Sequence, residues 1–188
     1  MADMPIDKVA FDTAFDFIMK FEGGYVNDKD DPGGATKYGI SLVFLRGVRG
    51  YATADSRTIL KLTRDDAKKI YKEHFWTPNR LGEIPSDLAI PVMDTAVNMG
   101  YRFAIKNLQR SLNKSGLVSE KLSVDGACGN KTVAAANNAN VVKNIELVRA
   151  YYMMNRVIRY IAICERNPKM RKFFFGWLRR VGGLWVTK

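Results

Sequence analysis

The chain has 188 residues, 47% of them hydrophobic, and a formal net charge of +11. Such a length can bury one substantial core, or two lobes that share a helix, and no apolar run approaches the roughly 20 residues that span a bilayer. Two cysteines (Cys128 and Cys164) with a single histidine (His74) make neither a disulfide framework nor a recognisable zinc site, and both thiols are expected in or near the core.

The N-terminus, Met1 to Lys8, lacks the charged and apolar regions of a signal peptide, so synthesis in the cytoplasm is expected. Phe11, Ala14, Phe15, Ile18 and Met19 recur at helical spacing and predict an amphipathic helix. Glu22 follows Ile18 by four residues and Phe15 by seven, which places it on the extension of the buried stripe. A carboxyl there loses hydration, and desolvation raises its pKa and keeps a proton available for general acid work. The plain alternative is a Glu22 paired with a Lys or Arg, or facing water at a frayed helix end. Spacing alone weighs the two evenly.

The next residues are rich in turn formers. Gly23-Gly24 lets the chain leave the helix sharply, and Asp31-Pro32-Gly33-Gly34 is a strong turn signal. Tyr25-Val26 and Ala35–Ile40 predict two short strands. Their hairpin would fold back beside the helix end and bring Asp28, Asp30, Asp31 or Thr36 toward Glu22. Aspartate-rich loops often bind calcium, but the calcium-loop pattern needs a twelfth-position Glu that is absent here, so no metal is expected. One acid set against a polar, partly solvated wall is what glycoside cleavage requires.

Helices are predicted for the rest. Thr63-Arg-Asp-Asp66 reads as a capping box with Asp in place of Glu, opening a helix through Ala67, Ile70, Tyr71 and Phe75 that Thr77-Pro78 stops beside Trp76. Leu88, Val92, Met93, Ala96 and Val97 form a second stripe that Pro91 interrupts. Asp94 and Asn98 lie four apart on it, facing either a sugar cleft or internal partners, the commoner fate of buried polar groups. Ala104, Ile105, Leu108 and Leu112 continue the pattern to Asn113, and Lys114–Leu122 reads as a polar loop. Val124–Lys131 is a turn opening a helix at Thr132. Val141–Cys164 predicts a long central helix ended by Asn167-Pro168, and Lys169–Val181 a final one. The aromatic residues of that last segment are expected to pack the core, with sugar stacking by Trp177 or Trp185 as the lesser alternative.

Charge is unevenly spread. Residues 1–100 carry 13 Lys/Arg against 15 Asp/Glu, whereas residues 101–188 carry 17 against 4. A basic half attracts any polyanion, whether peptidoglycan carboxylates, teichoic acids, anionic lipid or nucleic acid. No helix-turn-helix, zinc or RNA-binding signature accompanies it, so charge supplies attraction without identity.

The segment Glu22-Gly-Gly-Tyr25, with Asp31-Pro-Gly-Gly34, Thr36 and Gly39-Ile-Ser41, resembles the signature of glycoside hydrolase family 108. Thr63–Trp76, Met93–Gly100, Leu108-Gln109, Val124-Asp-Gly126 with Gly129 and Thr132, and Phe175–Val181 resemble later blocks of the same family, so the likeness covers nearly the whole chain. The resemblance implies a mainly α (α+β), lysozyme-like fold with a small β-hairpin after the first helix. It implies a catalytic portion over residues 1–100 and a helical peptidoglycan-binding portion over 101–188, packed as one compact unit. The implied activity is that of a phage or prophage endolysin, an N-acetylmuramidase cleaving the β-1,4 bond between N-acetylmuramic acid and N-acetylglucosamine. Glu22 would be its acid, with Asp31 as second carboxylate (Asp30 its rival) and Thr36 orienting water. Tyr25, Asp30, Tyr38 and Asn98 are the expected substrate contacts, with no cofactor and with peptidoglycan as partner of a monomer. The enzyme would reach the wall through lysis, a separate pore or a secretion route. Two alternatives stand beside this: a lytic transglycosylase on the same fold, and a non-catalytic wall- or nucleic-acid-binding module.

Overall fold

The computed structural model describes residues 6–27 and 34–186. Contacts gather the chain into two compact units, Phe15–His74 and a larger one formed by Met1–Ala14 with Phe75–Lys188. The first helix, α1 (Ile6–Met19), contributes to both.

In the smaller unit, the end of α1 is followed by a hairpin of β1 (Thr36–Lys37) and β2 (Ile40–Ser41), then α2 (Leu42–Arg46), α3 (Ser56–Lys61) and α4 (Arg64–Tyr71). Its core is Phe15, Ile18, Ile40, Leu45, Ile59 and Tyr71, each almost without solvent exposure. Local chemistry fixes the helix starts. The Ser41 hydroxyl accepts from the Phe44 amide, Asp55 forms a capping box with Thr58, and Thr63 forms the expected one with Asp66. Lys37 Nζ donates to the carbonyls of Leu60 and Leu62, both at 2.7 Å, and so satisfies acceptors that the end of α3 leaves open. Sequence periodicity predicts neither α2 nor α3. At five and six residues they are too short to develop a periodic stripe.

In the larger unit, α5 (Ser86–Met99) and α6 (Tyr101–Ser115) meet at Gly100 and pack together, and α6 packs in turn on α9 (Ile145–Arg166). Between them come α7 (Asn130–Ala136) and α8 (Ala139–Lys143), and α10 (Phe174–Val186) follows α9. The expected interruption at Pro91 does not occur: α5 runs straight through it. Burial of Leu88, Ala89, Val92 and Met93 around the ring offsets the missing amide hydrogen bond. The predicted helix Val141–Cys164 is two, divided at Asn144. The predicted Lys169–Val181 helix is a 3-10 segment, Pro168–Phe173, ahead of α10. Asn167 accepts from the Lys169 amide there, so the cap starts a tighter turn than an α-helix.

Cys164 is buried and Cys128 half-buried, as expected of both. Burial pushes the Cys128 thiol up to about 11. Trp177 stacks on Tyr160, with ring centroids 4.7 Å apart and planes 17° from parallel, whereas Trp185 and Phe175 are exposed. Among the described residues, no helix is long and apolar enough to cross a membrane.

Candidate active site

Glu22 lies three residues beyond the end of α1, in a bend, and is half-buried rather than on the continuing apolar stripe. Its amide still donates to the Ile18 carbonyl at 3.1 Å, so the helix hands it over in a fixed place. Gly23 and Gly24 follow. Neither has a positive φ, and a Cβ on either would meet nothing within 4 Å, so they are not the left-handed exit that their type suggested.

The chain returns to Glu22 through the hairpin. Val26 and Thr36 exchange backbone hydrogen bonds, both at 2.8 Å, so the predicted Tyr25-Val26 strand is a single bridge. The predicted Ala35–Ile40 strand is not continuous. Lys37 pairs with Ile40, leaving Tyr38 and Gly39 as a two-residue turn with φ of 54° and 73°. Positive φ at both positions defines a type I′ turn, whose twist matches the strands it joins. The Tyr38 amide reaches back to the Gly23 carbonyl at 3.3 Å.

Gly39 is where the turn meets the glutamate. A Cβ there would lie 2.6 Å from the Tyr71 hydroxyl oxygen and 2.8 Å from Glu22 Oε2, closer than side chains pack. The Tyr71 hydroxyl donates to the Tyr38 carbonyl at 3.0 Å, and its ring packs edge-on against Phe15. A buried phenol thus holds the turn, and the turn's missing side chain leaves the space that the carboxylate occupies. Gly39→Ala should cost about 1–2 kcal/mol from the left-handed backbone alone, more with the crowding. Denaturant unfolding reads this, and a midpoint unchanged from wild type would mean that the turn absorbs a side chain freely.

The other expected site residues fall as follows. Thr36 is half-buried, and its hydroxyl donates to the Gly34 carbonyl at 3.2 Å, which leaves its oxygen as an acceptor. Tyr25 is 36% exposed beside the bridge. The Tyr38 ring carries the Lys37 ammonium 5.2 Å from its centroid. Asp28, Asp30 and Asp31 lie outside the described residues. Asn98 belongs to the larger unit, where its Oδ1 accepts from the Tyr160 hydroxyl at 2.6 Å. Among the described residues, no group of acids, histidines and cysteines is arranged to hold a metal.

Sequence patterns alone place neither Tyr71 nor Gly39 at the site. Tyr71 looked like core, which it also is. The available signal was a glycine second in a two-residue gap between strand residues.

The later motif blocks also meet in space. Gln109 Nε2 donates within a cage of Asp125 Oδ1, the Ala127 carbonyl and Thr132 Oγ1, at 2.8, 3.0 and 3.2 Å, and its Oε1 accepts the Gly126 amide at 3.0 Å. The Ala127 amide, with Gln109, holds the Asp125 carboxyl below its ordinary range. These polar residues turn inward and fix the loop ahead of α7.

Two family models divide the chain between them. The model described as Glycosyl hydrolase 108 matches residues 15–100, and that described as Predicted Peptidoglycan domain matches 103–182. The solved structure of Brucella abortus SagA is similar over 94% of this chain and 92% of its own, with a TM-score of 0.70 and 26% identity. No curated protein matches. A mainly helical, lysozyme-like frame with its small hairpin at Glu22, joined to a peptidoglycan domain, defines a glycoside hydrolase that acts on peptidoglycan. Residues 15–100 form a glycosyl hydrolase 108 domain.

Proposed function

We propose that this hydrolase is an N-acetylmuramidase that cleaves the β-1,4 bond between N-acetylmuramic acid and N-acetylglucosamine, with Glu22 as general acid. The observation that supports it most is the seat of Glu22: its carboxylate lies against the Gly39 turn and beside the Tyr71 hydroxyl. A half-buried acid seated against a turn that the Tyr71 hydroxyl pins can keep one oxygen aimed at a glycosidic oxygen. Glu22 protonates the leaving oxygen, and an oxocarbenium-like charge develops at the muramic acid anomeric carbon. Asp31, with Asp30 as its rival, stabilises that charge or activates water, and Thr36 accepts a hydrogen from the same water. Tyr25 and Tyr38 offer their rings to the sugar. The enzyme acts as a monomer and reaches the wall through a separate pore, lysis or secretion route.

Product analysis tests the reaction type. Digestion of purified sacculi followed by mass spectrometry is expected to give fragments with reducing N-acetylmuramic acid ends. Anhydro-muramic ends would replace hydrolysis by transglycosylation, and reducing N-acetylglucosamine ends would move the cut to the other linkage. No released fragments would leave a binding module.

A further inference from the structure

We propose that the groove between α6 and α9 binds the carboxylates of peptidoglycan stem peptides, holding the wall on the larger unit. The groove measures about 540 Å³. Arg102, Lys106, Arg110 and Arg159 line it, and among the described residues no carboxylate does. The first three stand at i, i+4 and i+8 on α6, so their charges form a row with a rise of about 6 Å per step. Arg159 faces them from α9, its guanidinium 5.7 Å from the centroid of the Phe103 ring.

Two of these cations, Arg102 and Lys106, have their stems packed against a turn. Gly126 has a φ of 84°, and a Cβ there would lie 2.8 Å from Arg102 Cγ and 3.2 Å from Lys106 Cγ. The turn that Gln109 pins therefore rests on the stems of both side chains. The nearby acid of that turn, Asp125, is held by the Ala127 amide and the Gln109 amide group. Positive charge thus gathers along one row with the stems of Arg102 and Lys106 supported, which lowers the ordering cost of meeting a repeated anion.

Charge complementarity commits the occupant. The lining mixes the four cations with Phe103, Ile158 and Ala162 and with the amides of Asn107 and Asn155. Stem peptides present carboxylates beside amides and small apolar groups, matching that mixture, whereas a phosphate backbone offers charge without the rest. The groove also falls within the region matched by the peptidoglycan domain model. The inference rests on peptidoglycan as substrate and not on Glu22 as acid, so its test is made on binding.

The experiment is co-sedimentation of the full chain with purified sacculi, using Glu22→Gln so that the wall is not digested. Neutralising the groove with R102Q, K106Q, R110Q and R159Q, which keep much of each stem, should weaken binding about tenfold or more. It should also flatten the dependence on salt. The control variant K131Q, K143Q, K169Q and R171Q removes as many exposed charges elsewhere and should bind within about twofold of its parent. Sacculi whose carboxyls are capped as amides should lose the same affinity toward the parent protein. Equal loss in both variants would reduce the effect to net charge. Undiminished binding to capped sacculi, or tighter binding to duplex DNA or phosphatidylglycerol vesicles than to sacculi, would overturn the proposal. Failure of the muramidase reading is seen separately, as a wild-type chain that binds sacculi and releases no fragments.

Discussion

Glu22→Gln is expected to fold as the wild type does and to lose hydrolysis of peptidoglycan by about 10²–10⁴-fold, the usual contribution of a positioned general acid. Glutamine keeps the volume of the side chain against Gly39 and can still hydrogen-bond, but it has no proton of suitable acidity to give a leaving oxygen. The contrast with a structural role is therefore sharp. If the carboxylate served only to hold the hairpin, the amide would cost some stability and little rate. The measurement pairs a thermal midpoint with the initial rate of reducing-end release from sacculi. A variant that hydrolyses near the wild-type rate would remove Glu22 from the chemistry. Asp31→Asn and Thr36→Ala should give smaller losses, since under the proposed mechanism solvent can share charge stabilisation and water placement.

The seat of Glu22 explains which parts of the site could be read from the chain. The glutamate was legible because it comes just after a clear apolar stripe, and the turn-rich run behind it because Pro and Gly restrict the backbone in known ways. Its surroundings were not. Tyr38-Gly39 lacks the Asn or Asp that normally announces a type I′ turn, and its Tyr takes a left-handed φ of 54° that nothing local favours. What holds it is tertiary: the Tyr71 hydroxyl, 33 residues away, on the Tyr38 carbonyl. Periodicity assigns Tyr71 to the core and is right, yet the ring's buried edge and its hydroxyl have different uses.

The same limit recurs in the larger unit. Arg102, Lys106 and Arg110 are visible in the sequence as a helical row, but Arg159 joins them only through the packing of α6 on α9. Helices of eight residues or more were mostly readable from their stripes. Their boundaries failed where a side chain chose the end: at Asn167, which caps a 3-10 turn, and at Asn144, where α8 stops and α9 begins.

The largest expected loss of stability comes from Asp94→Ala. Asp94 on α5 is fully buried, and its Oδ1 accepts from Arg180 Nε of α10 at 2.7 Å. Its Oδ2 lies 2.6 Å from Arg156 Nη1 of α9, a fully buried ion pair. One carboxylate therefore joins three helices and faces two guanidinium groups. Burial works against the charge of Arg156, and Asp94 outweighs it, so that guanidinium titrates above its ordinary range. Arg156 Nε also donates to the Tyr160 hydroxyl, which donates to Asn98. Removing the anion strands two buried cations and loosens that chain of bonds. The cost should be about 3–5 kcal/mol, a fall of roughly 10 °C in the midpoint of the larger unit. Replacing the whole cluster with apolar residues of similar volume (D94L with R156M and R180M) should recover most of it, because the penalty belongs to the unmatched charge and not to the lost contacts. Calorimetry of the two variants decides the matter. A D94A midpoint within a degree or two of wild type would mean that water or a neighbouring group reaches the two arginines, and the carboxylate would then not be the joint of this helical core.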